Sequence, residues 1–451
     1  MTPPHVIVIG GGLAGIQAAL ACADRGARVT LLEARRWLGG ATWSHVHRGL
    51  GFEIDNGQHV FLRCCDRYLA FLDRIGARDR VLLQRRLAVP VARPGRALAW
   101  IRRAPLPAPA HLAPSLLRFP ALRLGERLRA LLTARRIGAL DPDERALDEI
   151  ALGAWLREQG ESEAAIDALW DLLIRPTLNL AAREASLALA ARVLRTGFLD
   201  SARNSDIGWP AVPFSALHAE PAAAALRACS ARVELGARVD AIECDPAQPA
   251  LWSRGARHMA DAIVLATPHE ETARLLGARG ALGEIAQLGR SPIVNLHVVF
   301  DRRVMPYALI AAQESPLQWI FDRSQSAGLE RGQYLTAPLS AADRWLPEST
   351  AALRETFLPA LAALLPAARG ARVLGFAVTS EPAATFRATP GARRLRPEPG
   401  REIGGVFLAG AYTDTGWPAT MEGAVRSGLA AADAALRACA LRAGRVAMEA
   451  A

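Results

Sequence analysis

Val6-Ile7-Val8-Ile9-Gly10-Gly11-Gly12-Leu13-Ala14-Gly15 is the stretch from which the rest of the chain is read. A short β-branched run ends abruptly in a glycine cluster. An Ala-rich segment, Ile16 to Arg25, follows, then Gly26, a second strand-like run from Val29 to Leu32, and Glu33. The order is strand, glycine-rich turn, helix, strand, acid, the pattern of a unit that holds a dinucleotide. Gly10 allows the tight turn, Gly12 lets backbone approach a pyrophosphate, and Gly15 lets the helix pack closely on the sheet. Leu13 and Ala14 open the helix, whose free N–H groups and partial positive charge face the phosphates. Glu33, 18 residues beyond Gly15, is placed to accept hydrogen bonds from a ribose and disfavours a 2′-phosphate. The pattern alone leaves FAD and NAD both open.

Ala34-Arg35-Arg36-Trp37-Leu38-Gly39-Gly40 closes the second strand with a basic pair and a second glycine pair. With Glu33 it resembles the E-A-R-x-x-x-G-G-R signature of the amine oxidase and phytoene desaturase flavoproteins. The resemblance implies FAD, with Ala34 and Arg35 beside it and Gly39 and Gly40 bringing backbone near its pyrophosphate. Ala41 stands where that signature ends in Arg.

At 451 residues the chain exceeds one ordinary core, so two interleaved domains are expected. The net charge of +10 is weak evidence for nucleic acid, because all 54 basic residues are Arg and none is Lys. Together with the excess of Ala this reads as a coding bias. No basic tail, zinc spacing or aromatic RNA-binding motif accompanies it, and no nucleic-acid partner is expected. Cys22, Cys64, Cys65, Cys229, Cys244 and Cys439 show no C-x-x-C spacing, and the adjacent Cys64 and Cys65 suit neither a disulfide nor a metal pair. No metal is expected. An N-terminus that enters a core strand directly points to a cytoplasmic setting. No apolar stretch approaches the ~20 residues that cross a bilayer, so the chain can touch the inner face of a membrane without spanning it.

Further along, Asp55-Asn56-Gly57-Gln58-His59 carries more polar positions than a turn needs between apolar flanks, and Tyr68 to Ile75 reads as an amphipathic helix. Residues 85–139 hold 12 Arg against one acid, Glu126, with prolines breaking the first part. Leu116 to Ile137 reads as a basic helix with leucines on one face. Such a helix can lie in a membrane interface or pack on its own domain as a solvated surface. A helical region follows to Leu199. From 231 strands return: Arg232 to Leu235, Arg238 to Ile242 and Asp261 to Thr267, the last ending at Pro268. Ile293 to Phe300, Leu317 to Phe321 and Val373 to Val378 suggest an antiparallel sheet flooring a substrate cavity.

Val406 to Tyr412 reads as a strand ending in a small-residue turn, and Ala419 to Gly428 starts a closing helix kept slim by Gly423 and Gly428. N–H groups near Ala419, Thr420 and Met421 can point at an anion. In a flavoprotein that anion is the reduced isoalloxazine edge, which the helix dipole stabilises.

Several stretches together resemble a narrower family, the squalene-associated FAD-dependent desaturases, or hydroxysqualene dehydroxylases. They are Asp55 to Val60, Leu178-Asn179-Leu180, Glu184-Ala185-Ser186, Gln318 to Arg323, Ala384-Thr385-Phe386 with Thr389-Pro390, and Thr413 to Gly428. Ala411 stands where most relatives have Asp, and Pro382-Ala383 replaces a usual basic pair. The resemblance implies an α/β fold: a Rossmann-type, GR2-like FAD-binding domain interleaved with an antiparallel-sheet substrate domain and a helical insertion. The expected division is FAD-binding residues 1–84, 231–275 and 396–451, a mostly helical substrate- or membrane-facing segment 85–230, and a substrate sheet 276–395. It adds Gly57, Gln58, Val239, Gly410 and Ala411 to the cofactor contacts.

The implied reaction is reduction of an allylic C30 alcohol to squalene by reduced FAD. The long apolar isoprenoid needs an acid to help its hydroxyl leave. His59 is the candidate acid, held as an imidazolium near neutral pH, with Asp55 or Asp414 behind it. A polyene desaturase and a flavin-less lipid-binding relative are the other readings. No second G-x-G-x-x-G unit is present to hold NADPH, so a separate electron donor is expected.

Overall fold

In the computed structural model, residues 2–277 and 280–449 are described. Strand His5–Ile9 runs into the glycine turn and helix Leu13–Ala23, and strand Arg28–Glu33 returns parallel to the first, with His5 opposite Arg28 and Ile9 opposite Leu32. The helix is buried on nearly every side, which its small apolar residues permit. The sheet grows to six strands in the order Arg232–Leu235, Arg28–Glu33, His5–Ile9, Ala262–Leu265, Val406–Leu408, Glu402–Ile403. All neighbours are parallel except the last pair. Side chains alternate between its faces. Val6, Val8, Leu31 and Val264 pack under the opening and closing helices, while Ile7, Ile9, Ile263 and Leu265 join the core of the helical lobe.

The closing helix, Met421–Glu449, crosses the opening helix at Gly428, where a Cβ would stand 2.2 Å from the Ala14 carbonyl oxygen. Only glycine fits that crossing. Val239–Glu243 belongs to a separate three-stranded antiparallel sheet, not to the nucleotide sheet.

The second large sheet has seven strands: Val373–Thr385, Ser291–Phe300, Gln333–Ser340, Trp319–Asp322, Leu309–Ala312, Ala88–Ala92 and Ala99–Arg102. Its neighbours are antiparallel, as the strand series suggested, except for one parallel pair, Leu309–Ala312 with Ala88–Ala92. Val294, Leu296, Val298 and Phe300 pack with Phe357 and Leu361 of helix Thr350–Leu364, burying apolar groups worth ~1.5–3 kcal/mol each. On the other face Val299 and Tyr334 meet Ile54 and Phe52 of the hairpin Ser44–His47/Phe52–Asp55.

Residues 85–230 are mostly helical, with two strands at the start that join this sheet and a short strand Ile207–Pro210. Leu116 to Ile137 is not one helix. Helices Ala113–Leu117 and Leu124–Ala139 are separated where Phe119 and Leu122 plug into the core, next to Pro120. Among the described residues no helix is long and apolar enough to cross a membrane.

Candidate cofactor and active site

The glycine turn forms a cradle against the second glycine pair. Gly10 has a φ of +103°, and a Cβ there would lie 2.6 Å from the Ala266 carbonyl oxygen. A Cβ on Gly15 would lie 1.8 Å from the Gly10 carbonyl oxygen, so helix and strand approach as closely as backbone allows. Gly12 is different. Among the described residues, its own chain neighbours aside, the one atom within 4 Å of a Cβ built on it is the Gly40 Cα, at 3.7 Å. Open space therefore lies over Gly12, at the N-cap of a helix with no capping side chain, and the first helical N–H groups are left for a ligand. The Gly39 N–H donates to the Gly11 carbonyl at 2.8 Å, locking the two loops together.

The Glu33 carboxylate is buried and accepts the Gly11 N–H at 2.6 Å and the Arg35 N–H at 2.7 Å. It shapes the cradle, with lone pairs left on both oxygens. Gly236 and Ala237 donate to the Arg35 and Glu33 carbonyls, so the chain leading into Val239 runs beside Glu33, Ala34 and Arg35. Arg35 reaches back to the Gly40 carbonyl at 3.1 Å. Ala41, at the missing Arg position, is exposed.

At the far end, Gly410 donates its N–H to Ser427 Oγ at 2.8 Å, and Ala411 follows, half-buried. Thr420 caps the closing helix, its Oγ1 accepting the Gly423 N–H at 3.1 Å. The Met421 and Glu422 N–H groups stand at the helix's open end, following Ala419 and Thr420. The Glu422 side chain turns away to cap helix Asp66–Arg74, accepting the Tyr68 N–H at 2.7 Å and bonding Arg426 at 2.6 Å. Burial pushes its carboxyl up to about 7.

His59 sits beside the Ala41 carbonyl, one residue from the glycine pair, with its ring edge-on to Phe214 at 5.1 Å. Gly57 is buried next to it, and Gln58 Oε1 accepts the Thr336 hydroxyl at 3.3 Å. The expected imidazolium is not found. Burial pulls the His59 pKa down to about 4, opposed only by the Ala41 carbonyl and, among the described residues, by no carboxylate. Asp55 is not behind His59 either. It is buried, accepts Ser44 Oγ and the Phe214 N–H, and pairs with Arg323 at 2.8 Å. Burial raises its carboxyl and the Arg323 guanidinium pulls it back. Asp414 is held by Arg393 at 2.7 Å, with Arg396 3.7 Å away. Both acids are gripped by arginines and fix loops.

Sequence reasoning missed those arginines. Arg323 also donates to the Pro210 and Val212 carbonyls. Arg396, stacked on Phe386, donates to the Tyr412, Thr413 and Trp417 carbonyls and so shapes the loop before the closing helix. In a chain whose basic residues are all Arg, none of them stands out. The structure thus brings Gly10, Gly12, Gly15, Gly39, Gly40 and His59 around one cradle, with Glu33 and Val239 at one end and Gly410 and the closing helix at the other. The open space over Gly12 and the two helix N-termini fit a dinucleotide.

A model of the flavin containing amine oxidoreductases matches residues 13–436. A hydroxysqualene dehydroxylase from Rhodopseudomonas palustris is 27% identical over 443 residues, covering 96% of this chain and 98% of that protein. A 15-cis-phytoene desaturase from an Oncidium hybrid cultivar is 26% identical over 458 residues, covering 96% of this chain and 78% of that one. Among solved structures, cyclohexylamine oxidase from Brevibacterium oxydans superposes with a TM-score of 0.74 at 21% identity, over 96% of this chain and 99% of that one.

Proposed function

The chain belongs to the flavin containing amine oxidoreductase family, and from that premise we propose that this FAD-dependent oxidoreductase reduces an allylic isoprenoid alcohol, hydroxysqualene, to squalene. Its substrate class is the isoprenoid polyenes. The observation that carries the finer reading is extent: the likeness runs through 98% of the dehydroxylase but only 78% of the desaturase. The reaction balances simply. The C–O bond breaks, the hydroxyl takes a proton and leaves as water, and the allylic carbon takes a hydride. When bound, reduced FAD supplies that hydride. Electrons reach the flavin from a separate donor, and the long apolar alcohol is drawn from a bilayer.

The decisive experiment is anaerobic incubation of the photoreduced protein with hydroxysqualene. Squalene forming in step with flavin reoxidation is the expected result. Desaturated product formed from phytoene by the oxidised protein with a quinone as terminal acceptor, with hydroxysqualene untouched by the reduced protein, favours the second reading that the desaturase relatives support. A protein purified without a flavin absorption band sinks both.

His59 is our candidate for the group that protonates the leaving hydroxyl. With its pKa near 4, roughly one molecule in a thousand carries the imidazolium at pH 7. A protonated donor becomes commoner as pH falls, so kcat/KM is expected to rise about ten-fold per unit between pH 7 and pH 5. His59→Ala should flatten that slope while keeping FAD. A flat wild-type profile, or an unchanged slope in the variant, removes His59 from proton transfer.

A further inference from the structure

The basic segment carries leucines that nothing among the described residues covers. Helix Leu124–Ala139 buries Ala130, Thr133 and Ile137, while Leu124, Leu128 and Leu132 are 63%, 49% and 59% exposed. Their spacing of four residues stacks them into one stripe on the face opposite the buried one. A single exposed Leu is ordinary, but an aligned stripe signals an interaction surface. The stripe is tied to its neighbour: Arg127 donates to the Leu117 carbonyl at 2.9 Å and the Leu122 carbonyl at 2.8 Å, and Leu117 is itself exposed.

Beside helix Ala113–Leu117 a cleft of about 430 Å³ opens against strand Ala99–Arg102, lined among others by Leu98, Trp100, Arg102, Ser115 and Arg118. The Arg102 guanidinium lies 3.8 Å over the Trp100 ring, and Ser115 Oγ bonds the Arg102 main chain, fixing that wall. Among the described residues neither Arg102 nor Arg118 has a carboxylate partner. Uncompensated guanidiniums suit phosphate, which they bind through paired N–H groups. Trp at the same level suits the boundary between headgroup and acyl chain.

We propose that this face docks the protein on an anionic phospholipid bilayer, with Leu124, Leu128 and Leu132 in the acyl boundary and Arg102 and Arg118 holding a lipid phosphate in the cleft. Charge complementarity selects this occupant: exposed Arg102, Arg118, Arg123, Arg129, Arg135 and Arg136 stand on the stripe's helix and beside the cleft against one acid, Glu126, and oppose a surface of phosphodiesters. The inference deepens the reading of a bilayer-borne substrate and rests on it for purpose.

The test uses the full-length FAD-loaded protein and vesicles of equal parts phosphatidylcholine and phosphatidylglycerol, against phosphatidylcholine alone. Co-sedimentation is expected with the anionic vesicles and to weaken with salt. Leu124→Ser, Leu128→Ser and Leu132→Ser combined should lower the vesicle partition roughly a hundred-fold. Arg102→Gln with Arg118→Gln should weaken the preference for phosphatidylglycerol several-fold, and an unchanged preference removes the cleft from the proposal. Both variants should turn over detergent-dispersed hydroxysqualene as wild type does. If no preparation turns over but sedimentation follows this pattern, the reaction assignment fails and the docking face stands. Wild type remaining in the supernatant, or the triple variant binding unchanged, overturns the docking face. A wild-type dimer that the triple variant splits into monomers also overturns it, because the stripe then belongs to a second copy.

Discussion

Gly12→Ala is expected to fold and lose its yellow colour, whereas Gly15→Ala is expected not to accumulate as folded protein. The two glycines sit three residues apart in one motif, yet their surroundings differ. At Gly12 the backbone is extended, with φ −77°, and a methyl group meets only the Gly40 Cα at an ordinary 3.7 Å. The apoprotein has room for it. A pyrophosphate lying against Gly12 does not, and overpacking of roughly 1–3 kcal/mol corresponds to about five- to 150-fold weaker FAD binding. At Gly15 the methyl would stand 1.8 Å from a carbonyl oxygen of the same turn, and neither atom belongs to a side chain that can swing aside. Helix Leu13–Ala23 would have to lift from the sheet, breaking its contact with Gly428 as well. Flavin absorbance at constant protein, with thermal unfolding of the apo forms, separates the two. A Gly12→Ala protein with wild-type FAD content would mean the open space over Gly12 is not where the dinucleotide lies.

The opening unit is legible in sequence because its signal is local. Turn glycines, a helix start and a terminal acid are fixed by a few neighbours, and the strands from 232 and 406 follow as pieces that complete the sheet. The edge of the second sheet is less legible for an equally physical reason. Pro90 reads as a breaker, but strand Ala88–Ala92 meets Leu309–Ala312 only through Val91 and Ala92, so the proline's missing N–H leaves no gap in that ladder. The basic helix shows leucines at helical spacing without showing which face is buried. That depends on Ala130, Thr133 and Ile137 meeting a lobe far along the chain. The charge state of His59 is not legible in sequence, because its burial is set by Phe214 and the Ala41 loop and not by the residues next to it in the chain.

Arg323→Met is expected to destabilise the protein by roughly 3–5 kcal/mol, because it strands a buried carboxylate. Arg323 directly follows strand Trp319–Asp322 of the seven-stranded sheet, and its guanidinium spans to Asp55 at 2.8 Å and to the carbonyls of Pro210 and Val212. One residue thus ties together the sheet, the hairpin and the segment that carries Phe214. Asp55 is the matching node, accepting the Phe214 N–H at 2.9 Å and the Ser44 hydroxyl at 2.8 Å. With the cation gone, the carboxylate keeps those two donors but loses its counter-charge in a site where burial already opposes ionisation. Asp55→Asn retains an acceptor for both donors and carries no charge. The double variant, Asp55→Asn with Arg323→Met, should therefore be more stable than Arg323→Met alone, with a coupling on the order of 2 kcal/mol in urea unfolding. Phe214 also sets the ring against which His59 rests, so Arg323→Met should change the slope of the pH profile as well as the midpoint of unfolding. A single variant within about 0.5 kcal/mol of wild type, or a double variant whose cost is the sum of the two singles, would show that solvent reaches the pair and that the hairpin is held to the sheet by its apolar contacts alone.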